Sequence, residues 1–526
     1  IKTDPTKTKH IEIYQAYEQS CEQSGFVDFG ELLLRSFETL KKNTALLEHY
    51  HNRFKHVLVD EFQDTNEIQY QWVKLISGAE TSTFIVGDDD QSIYRWRGAK
   101  SENMQRFQKE FKNCRLIKLE QNYRSTKTIL EAANAVIANN KERLEKKLWT
   151  NGDVGSPIEL LGVFDEYEES KVIVDKITSW QLSGRALNEV AVLYRSNAQS
   201  RIIEGTLLQH QIPYRVYGGL RFFDRAEIKD ALAYLRLVVN NNDDLAFERS
   251  SNMPPKGLGA KTMSQIRIFA IDHHLSLLAA ASLLVQNKEL ATRAHSAVRD
   301  FITLIASIEN AIKNLRLSDQ FKTCIEMSGL IPFLKSKKTE RAETRIENIS
   351  ELVNAAYDYR PLMEDEENKL TPLQSFLADA ALASGDSQAS EWEDSVQLMT
   401  MHSAKGLEFK LVFIAGMEDG LFPHQRSILE PGGLEEERRL CYVAITRSMQ
   451  DLVISYTEHR MLHGFSSPSQ PSRFLFEIPE TLVNESSRLT RLGLKTKQTK
   501  IEKADGSISL GQRIAHPKFG EGIVIG

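Results

Sequence analysis

The chain predicts an α/β protein: two domains built on parallel sheets, a helical domain inserted into the second, and part of a small β-barrel at the C-terminal end. Three observations carry this prediction. Short apolar runs recur, each ending abruptly in a polar loop and followed by a helical pattern, which is the rhythm of parallel strands joined by crossovers. From about Ala226 to Ser390 the strand signal fades into helical spacing, after which strands resume. At 526 residues the chain is also too long for one ordinary domain.

Taken in order, Ile11 to about Tyr50 reads as helices, with Leu32, Leu33, Leu34, Phe37 and Leu40 at helical spacing. The first strand lies in His56-Val-Leu-Val-Asp-Glu-Phe-Gln-Asp-Thr-Asn66, where three apolar residues run into adjacent carboxylates, Asp60 and Glu61. Such a run suits a strand buried on both faces. Ile68, Trp72, Leu75 and Ile76 then line one side of a helix. A second strand, Thr83 to Gly87, delivers Asp88-Asp-Asp-Gln-Ser-Ile-Tyr-Arg-Trp-Arg-Gly98, and a third, Arg115 to Leu119, delivers Glu120-Gln-Asn-Tyr-Arg-Ser125. The second sheet draws on Ile158 to Leu161, Val190 to Tyr194 and Tyr214 to Tyr217, and resumes at Val396 to Met401, Leu411 to Ala415 and Leu452 to Tyr456. Before that return, Thr371-Pro-Leu373 offers an N-cap with Pro in the first turn. Leu373, Phe376, Leu377, Ala380 and Ala381 continue it as one apolar stripe that Gly385 can close. Residues 485–509 are polar and lysine-rich and read as a linker; Gly511 to Ile525 resembles the first strands of a small barrel. The expected division is therefore 1–50 helical, 51–118 the first α/β domain, 119–225 with 391–484 the second, 226–390 the insert, 485–509 the linker and 510–526 the barrel start.

A net charge of −6 and a pI near 6.2 mean that bulk charge does not draw this chain to nucleic acid, so such binding must rest on local patches and stacking. A mean hydropathy of −0.36 and the lack of any long apolar run argue against a membrane span. Four cysteines without CxxC spacing exclude a disulfide or metal framework and are expected as reduced, buried thiols of a cytoplasmic protein. The opening Ile1-Lys-Thr-Asp-Pro5, without an initiator Met or a signal peptide, is expected to be the interior of a longer protein.

Ligands of open α/β sheets bind beyond the carboxyl ends of the strands, which places Asp60 and Glu61 where a nucleotide would be handled. Mg²⁺ takes hard oxygen ligands and keeps most of its waters, so one carboxylate plus substrate phosphates suffices, and a second carboxylate can orient or deprotonate a water. For a bare acid pair, however, a capped strand end is the commoner outcome. Tyr94, Trp96 and Arg97 put two aromatic faces and a cation on one short loop, the kind of platform on which single-strand binders stack bases; the plain alternative for Trp96 is core packing. Taken alone, His402 is better read as a structural histidine, and Arg124 or Arg447 as a salt-bridge partner. Met253-Pro-Pro-Lys-Gly-Leu-Gly-Ala-Lys-Thr262 is not a P-loop, because Ala260 precedes the lysine where GxxxxGK[ST] needs glycine. It reads instead as a hairpin at a helix N-terminus, with amides near Gly257 and Gly259 free to hold a duplex phosphate. Glu364-Asp-Glu-Glu367 reads as a solvated loop.

Asp60 to Asp64, Gly87 to Gly98, Gln121 to Ser125, Thr400-Met-His-Ser-Ala-Lys-Gly-Leu-Glu-Phe409 and Glu435 to Arg447 together resemble motifs II to VI of superfamily 1A DNA helicases, the group of UvrD, PcrA and Rep. The resemblance runs from about Phe26 to Gly526. It implies two RecA-like domains, the first incomplete, an SH3/Tudor-like barrel, ATP and Mg²⁺ as cofactors, and 3′→5′ DNA unwinding in repair. Single-stranded DNA and its junctions with duplex are the implied partners, with repair proteins and RNA polymerase as further candidates. By the same resemblance Asp60 holds Mg²⁺, Glu61 is the general base, and Gln91 senses the γ-phosphate. Tyr123 packs on adenine, Arg124 and Arg447 reach the γ-phosphate, and Glu408 contacts the ribose. Tyr94, Trp96 and Arg97 enter the single-strand groove, His402 approaches the same strand, and the insert meets duplex near Gly257 and Gly259. One departure matters: no GxxxxGK[ST] occurs, although the family carries it upstream of the position of Asp60. The expectation is a shortened helicase, inactive alone; the rivals are a non-catalytic DNA-binding or scaffold paralogue and the helicase part of a recombinational helicase–nuclease.

Overall fold

The computed structural model describes residues 5–111, 113–141, 143–144, 146–217, 220–357, 359, 370–385, 393–462, 465–487, 513–516 and 520–523. Two compact units divide the chain, Ile1–Glu485 and Ser486–Gly526.

The first unit opens with α1 (Pro5–Ser24), α2 (Phe29–Lys42) and α3 (Thr44–Arg53). Asp28 and Asn43 begin α2 and α3 by accepting from the backbone N–H of Glu31 and Leu46, which satisfies amides a helix start leaves open. There follow β1 (His56–Val59), α4 (Glu67–Ile76), β2 (Ser82–Ile85) and α5 (Glu102–Glu110). β1 and β2 pair in parallel with Leu58 opposite Phe84, and among the described residues this sheet has two strands. Val57 packs with Leu40 of α2 and Ile76 of α4, while Val59 and Ile85 meet Tyr70 and Phe107. The opposite face is bare: Leu58 is 73% and Phe84 56% exposed. The expectation of a strand buried on both faces is thus corrected, because the helices covering this small sheet all lie on the Val57 side. A second correction concerns Arg115 to Leu119, which forms no strand. Leu116, Ile117 and Leu119 are exposed. Apolar composition favours extension, but a strand exists only where a neighbouring edge offers a ladder of hydrogen bonds.

Beyond this come α6 (Lys127–Ile137), β3 (Ile158–Val163), α7 (Glu166–Leu182), β4 (Val190–Tyr194), α8 (Ser200–Gln209) and β5 (Tyr214–Val216). A helical segment then runs through α9 (Ala226–Val239), α10 (Asp244–Asn252), α11 (Ala260–His273), α12 (Leu277–Gln286), α13 (Thr292–Ile312), α14 (Leu317–Ser328), α15 (Leu330–Lys337), α16 (Glu340–Tyr357) and α17 (Pro372–Gly385). It has a core of its own that includes Phe247, Phe301, Phe321 and Phe376. Thr371 and Gln374 exchange hydrogen bonds at the start of α17, 2.9 and 3.3 Å, and Leu373, Phe376 and Ala380 are buried as the stripe requires. Glu364 to Glu367 lies outside the described residues.

The chain returns as β6 (Val396–Thr400), β7 (Phe409–Ile414), α18 (Gln425–Leu429), α19 (Gly433–Ile445), β8 (Ser448–Thr457), β9 (His459–Leu462), β10 (Phe465–Pro468) and β11 (Val483–Ser487). One sheet of seven strands results, in the order β11-β3-β8-β7-β4-β6-β5, with every pair from β3 to β5 parallel. Ala191 and Leu193 face α6 and α19; Val190, Val192 and Tyr194 face α7 and α8. Here burial on both faces is realised. β11 takes up Glu485 to Ser487, the first residues of the expected linker, and residues 488–512 lie outside the described ones. In the second unit, β12 (Arg513–His516) and β13 (Gly520–Ile523) form an antiparallel hairpin. All four cysteines are free; Cys324 and Cys441 are buried as expected, but Cys114 is exposed and Cys21 partly so. Among the described residues no single helix is long and apolar enough to cross a membrane.

Candidate functional site

Beyond β1 the backbone turns sharply. Glu61 adopts φ 50°, ψ 40°, a left-handed conformation that costs a residue with a side chain ~1–3 kcal/mol unless its surroundings enforce it. Enforcement is local: the Glu61 N–H donates to Asp60 Oδ1 (2.8 Å), and its carboxylate accepts from Gln63 Nε2 (2.5 Å). Gln63 is wholly buried, and its side-chain oxygen accepts from the N–H of Asp88 (3.0 Å). One carboxamide therefore fastens the loop after β1 to the loop after β2. Gly87 makes room for it, since a Cβ there would stand 2.6 Å from that oxygen.

Lys405, on the turn after β6, reaches these loops from the larger sheet. Its ammonium donates to Asp64 Oδ2 (2.6 Å) and the Gln91 carbonyl (2.9 Å) and lies 3.4 Å from Glu61. The Gln91 carboxamide donates to Asp88 Oδ2 at 2.8 Å. Burial raises the Asp64 carboxyl above its usual range, against the pull of Lys405, and Asp64 Oδ1 is buried with no partner. Lys405, Gln63 and Asp64 were not among the expected site residues. A lysine three residues after His402, inside a polar strand-end turn, was the available signal for the first; the other two fall within the motif-like stretch Asp60 to Asp64, where the resemblance implies no role for either.

Arg124 donates to Glu408 at 2.5 Å, so the salt-bridge alternative holds for it in this structure. For Arg447 it does not. Arg447 is 2% exposed and donates to the carbonyls of Val443 (3.0 Å) and Leu407 (3.1 Å) and to the Thr446 hydroxyl (3.1 Å), with no ion pair among the described residues. Burial first, then the charge of Arg124, lowers its pKa to about 10, while Asp88 and Glu61 pull the other way. It remains charged at neutral pH. A buried cation beside another cation, within electrostatic reach of the strand-end carboxylates, is an arrangement that welcomes an anion. Tyr123 is 85% exposed, its ring free to stack.

Trp96 is 52% exposed, which removes the core-packing alternative. The Arg97 guanidinium lies 4.6 Å from the Trp96 ring and 5.2 Å from the Tyr94 ring. The Tyr94 hydroxyl donates to the His402 carbonyl (3.4 Å), and Lys405 lies 5.4 Å from the Tyr94 ring. A single ammonium thus touches both the carboxylates and the root of the aromatic loop. The Arg95 N–H and guanidinium tie that loop to Glu436 (3.1 Å) and the Pro431 carbonyl (3.0 Å) near the start of α19. Burial above all, then Arg195, lowers the His402 imidazole to about 3, so it is neutral at physiological pH. Gly257 (φ 81°) and Gly259, the N-cap of α11, stand apart on the turn between α10 and α11.

Two acidic groups compete as metal sites. The carboxylates of Asp88, Asp89 and Asp90 lie within 4.8 Å of one another. All three are already engaged: Arg143 grips Asp90 with two bonds (2.7 and 2.6 Å), Lys146 contacts Asp88, and the Leu144 N–H donates to Asp89 (2.8 Å). That cluster does not fit a cation. Asp60 does fit Mg²⁺: it is an exposed hard-oxygen donor at a strand end, with one oxygen engaged by a backbone N–H and the other open.

Two parallel sheets whose strand-end loops meet where the Lys405 ammonium joins the carboxylates of one to a turn of the other, with Arg447 within electrostatic reach, define an α/β protein of the helicase kind. Residues 1–112 match the UvrD/REP helicase N-terminal domain and residues 117–459 the UvrD-like helicase C-terminal domain. The chain belongs to the UvrD-like DNA helicases. It is 50% identical to DNA helicase II of Escherichia coli, over 99% of this chain and 73% of that protein. Identity is 46% to DNA helicase II of Haemophilus influenzae, over 99% and 72%, and 38% to ATP-dependent DNA helicase PcrA of Staphylococcus aureus, over 97% and 72%.

Proposed function

We propose that this chain supplies the hydrolytic and DNA-gripping parts of an ATP-driven helicase that moves 3′→5′ on single-stranded DNA and opens duplex at junctions during repair. The observation that supports it most is Lys405, which joins Glu61, Asp64 and Gln91 from one sheet to a turn of the other and also touches Tyr94. Phosphoryl transfer is mostly positioning and charge neutralisation, and this cleft offers both. Asp60 would hold Mg²⁺, which supplies positive charge at the phosphates. Glu61, fixed by Gln63, orients and deprotonates the attacking water. Arg447 and Arg124 stabilise charge developing on the γ-phosphate, and Gln91 relays its presence to the loop of Tyr94 and Trp96. Tyr123 stacks on adenine, and Glu408, once it leaves Arg124, takes the ribose. Trp96, Arg97 and neutral His402 grip the single strand; the turn at Gly257 and Gly259 meets duplex. The division into two RecA-like domains, an insert and a barrel start belongs to this reading, as does a cytoplasmic setting. Repair proteins and RNA polymerase as partners rest on family likeness alone.

A specific observation qualifies the reading: these 526 residues contain no GxxxxGK[ST], so this polypeptide by itself binds DNA without turnover. The test joins the chain to the P-loop segment of its Escherichia coli relative and follows strand displacement on duplexes with a 3′ or a 5′ tail. Opening confined to the 3′-tailed substrate, and abolished by Glu61→Gln with ATP binding intact, is expected. Equal opening of both substrates overturns the polarity; hydrolysis within a few-fold of normal in Glu61→Gln removes that residue as base.

A further inference from the structure

A cavity of about 280 Å³ lies where α16 of the helical segment meets the seven-stranded sheet's surroundings, and none of the candidate nucleotide or DNA residues lines it. Its apolar walls include Ile202, Ile203, Leu421 and Met461. Its polar walls are dominated by carboxylates. Glu343, Glu347 and Glu351 recur every fourth residue of α16 and so share one face. Each meets the sheet side, although only the last two line the cavity: Glu343 pairs with Arg426, Glu347 accepts from the Ser196 hydroxyl (2.6 Å) with His424 at 3.6 Å, and Glu351 pairs with Arg201 at 2.5 Å. Across the cavity, Arg460 is shared between Glu169 (2.8 Å) and Glu418 (2.7 Å). Glu166 is left over. It is 7% exposed, has no ion pair among the described residues, and its two carboxylate oxygens share the one N–H of Met461 (3.1 and 3.3 Å). Glu347, on the facing wall, is different: although burial opposes it, His424, the Ser196 hydroxyl and the charge of Arg195, itself committed to Glu437, hold its carboxyl below the usual range, so it stands ready as an anion.

A buried carboxylate without an ion pair of its own is costly, and burial accordingly raises the Glu166 carboxyl, against the longer-range pull of Arg460. The volume is at the small end of ligand sites. It exceeds what a lone water or metal ion needs, and the apolar walls offer nothing to a bare hydrated ion. We propose that this cavity binds a small organic amine with a compact apolar body, its ammonium held between Glu166 on the sheet side and Glu347 on α16. Such a ligand would bridge the helical segment to its host and hold the two in the arrangement seen here. The proposal is independent of the nucleotide and DNA readings.

Calorimetry on the 526-residue chain with phenethylamine, 2-phenylethanol and phenylacetate tests it. Phenethylamine should bind with one molecule per chain, at least about tenfold tighter than the alcohol, the advantage of about one charge-assisted hydrogen bond. Phenylacetate should not bind. Glu166→Gln should erase the preference for the amine. Should that buried change impair folding, Glu347→Gln, at a half-buried position on α16, is expected to cost the same factor. Equal binding of amine and alcohol, no binding of the amine at millimolar concentration, or an unchanged preference in Glu347→Gln overturns the proposal.

Discussion

In the smaller sheet β1 and β2 stand by themselves, with Val57 packed against Leu40 and Ile76 on one face and Leu58 bare on the other, whereas β4 of the larger sheet is buried from Val190 to Tyr194. Both sheets carry candidate site residues on the loops at their strand ends, but they hold those loops differently. The larger sheet fixes its loops by burial. The smaller one fixes them with named hydrogen bonds: Gln63 between Glu61 and Asp88, Lys405 on Asp64, Arg143 on Asp90. Two of those three donors come from outside the small sheet, so its half of the site borrows order from the rest of the molecule.

The strongest way to break the comparison is at Arg447, buried in the larger half and proposed to act toward the smaller. In the chain joined to a P-loop segment, Arg447→Ala is expected to lower DNA-stimulated turnover by ~10³-fold or more, as loss of an arginine finger does. Steady-state hydrolysis reads this. Its melting temperature should also fall, because the carbonyls of Val443 and Leu407 lose their donor. Arg124→Ala should cost turnover comparably with no such melting shift, since its partner Glu408 is half exposed. A mutant that melts early but turns over normally would make Arg447 purely structural.

Next comes the core of the larger sheet. Leu398 is fully buried on β6, and Leu398→Ala should cost ~2–5 kcal/mol in denaturant unfolding. Trp96→Ala, on the smaller half, should weaken binding of a short single-stranded oligonucleotide by ~1–3 kcal/mol. Its salt dependence should stay parallel to the parent chain's, because no phosphate contact is lost. Coincident curves would place the DNA-binding surface elsewhere. The smallest effect belongs to Leu58→Ala, expected within ~0.5 kcal/mol of the parent in the same unfolding assay, because its side chain is already in solvent. A loss there as large as at Leu398 would mean that the bare face is covered in solution.

What could be read in advance follows the same divide. Val190 to Tyr194, the helical segment and the cap at Thr371 announce themselves through local periodicity and turn chemistry, and the structure contains them at the expected places. So did the strand ends at Asp60 and Asp88. Whether a strand has neighbours is not a local property, which is why Leu58 was expected inside and Arg115 to Leu119 was expected to pair. Lys405 and Arg143 meet their carboxylates across 341 and 53 residues of chain, and no pattern within a window reveals such partners. The burial of Gln63 beside exposed Asp60 and Glu61 is equally invisible, because alternation in a sequence says nothing about the turn that ends a strand.

The bare face of β1 and β2 also has a colloidal consequence. Leu58 and Phe84 are paired neighbours pointing into water, and among the described residues no further strand pairs with either outer edge of this sheet. An apolar, open-edged ribbon is a template for strand addition by another copy. The net charge of −6 works against such encounters at low ionic strength and is screened as salt rises. Solutions of this chain should therefore keep longest when dilute and low in salt, and charged substitutions at Leu58 and Phe84 should extend their life without touching the cleft.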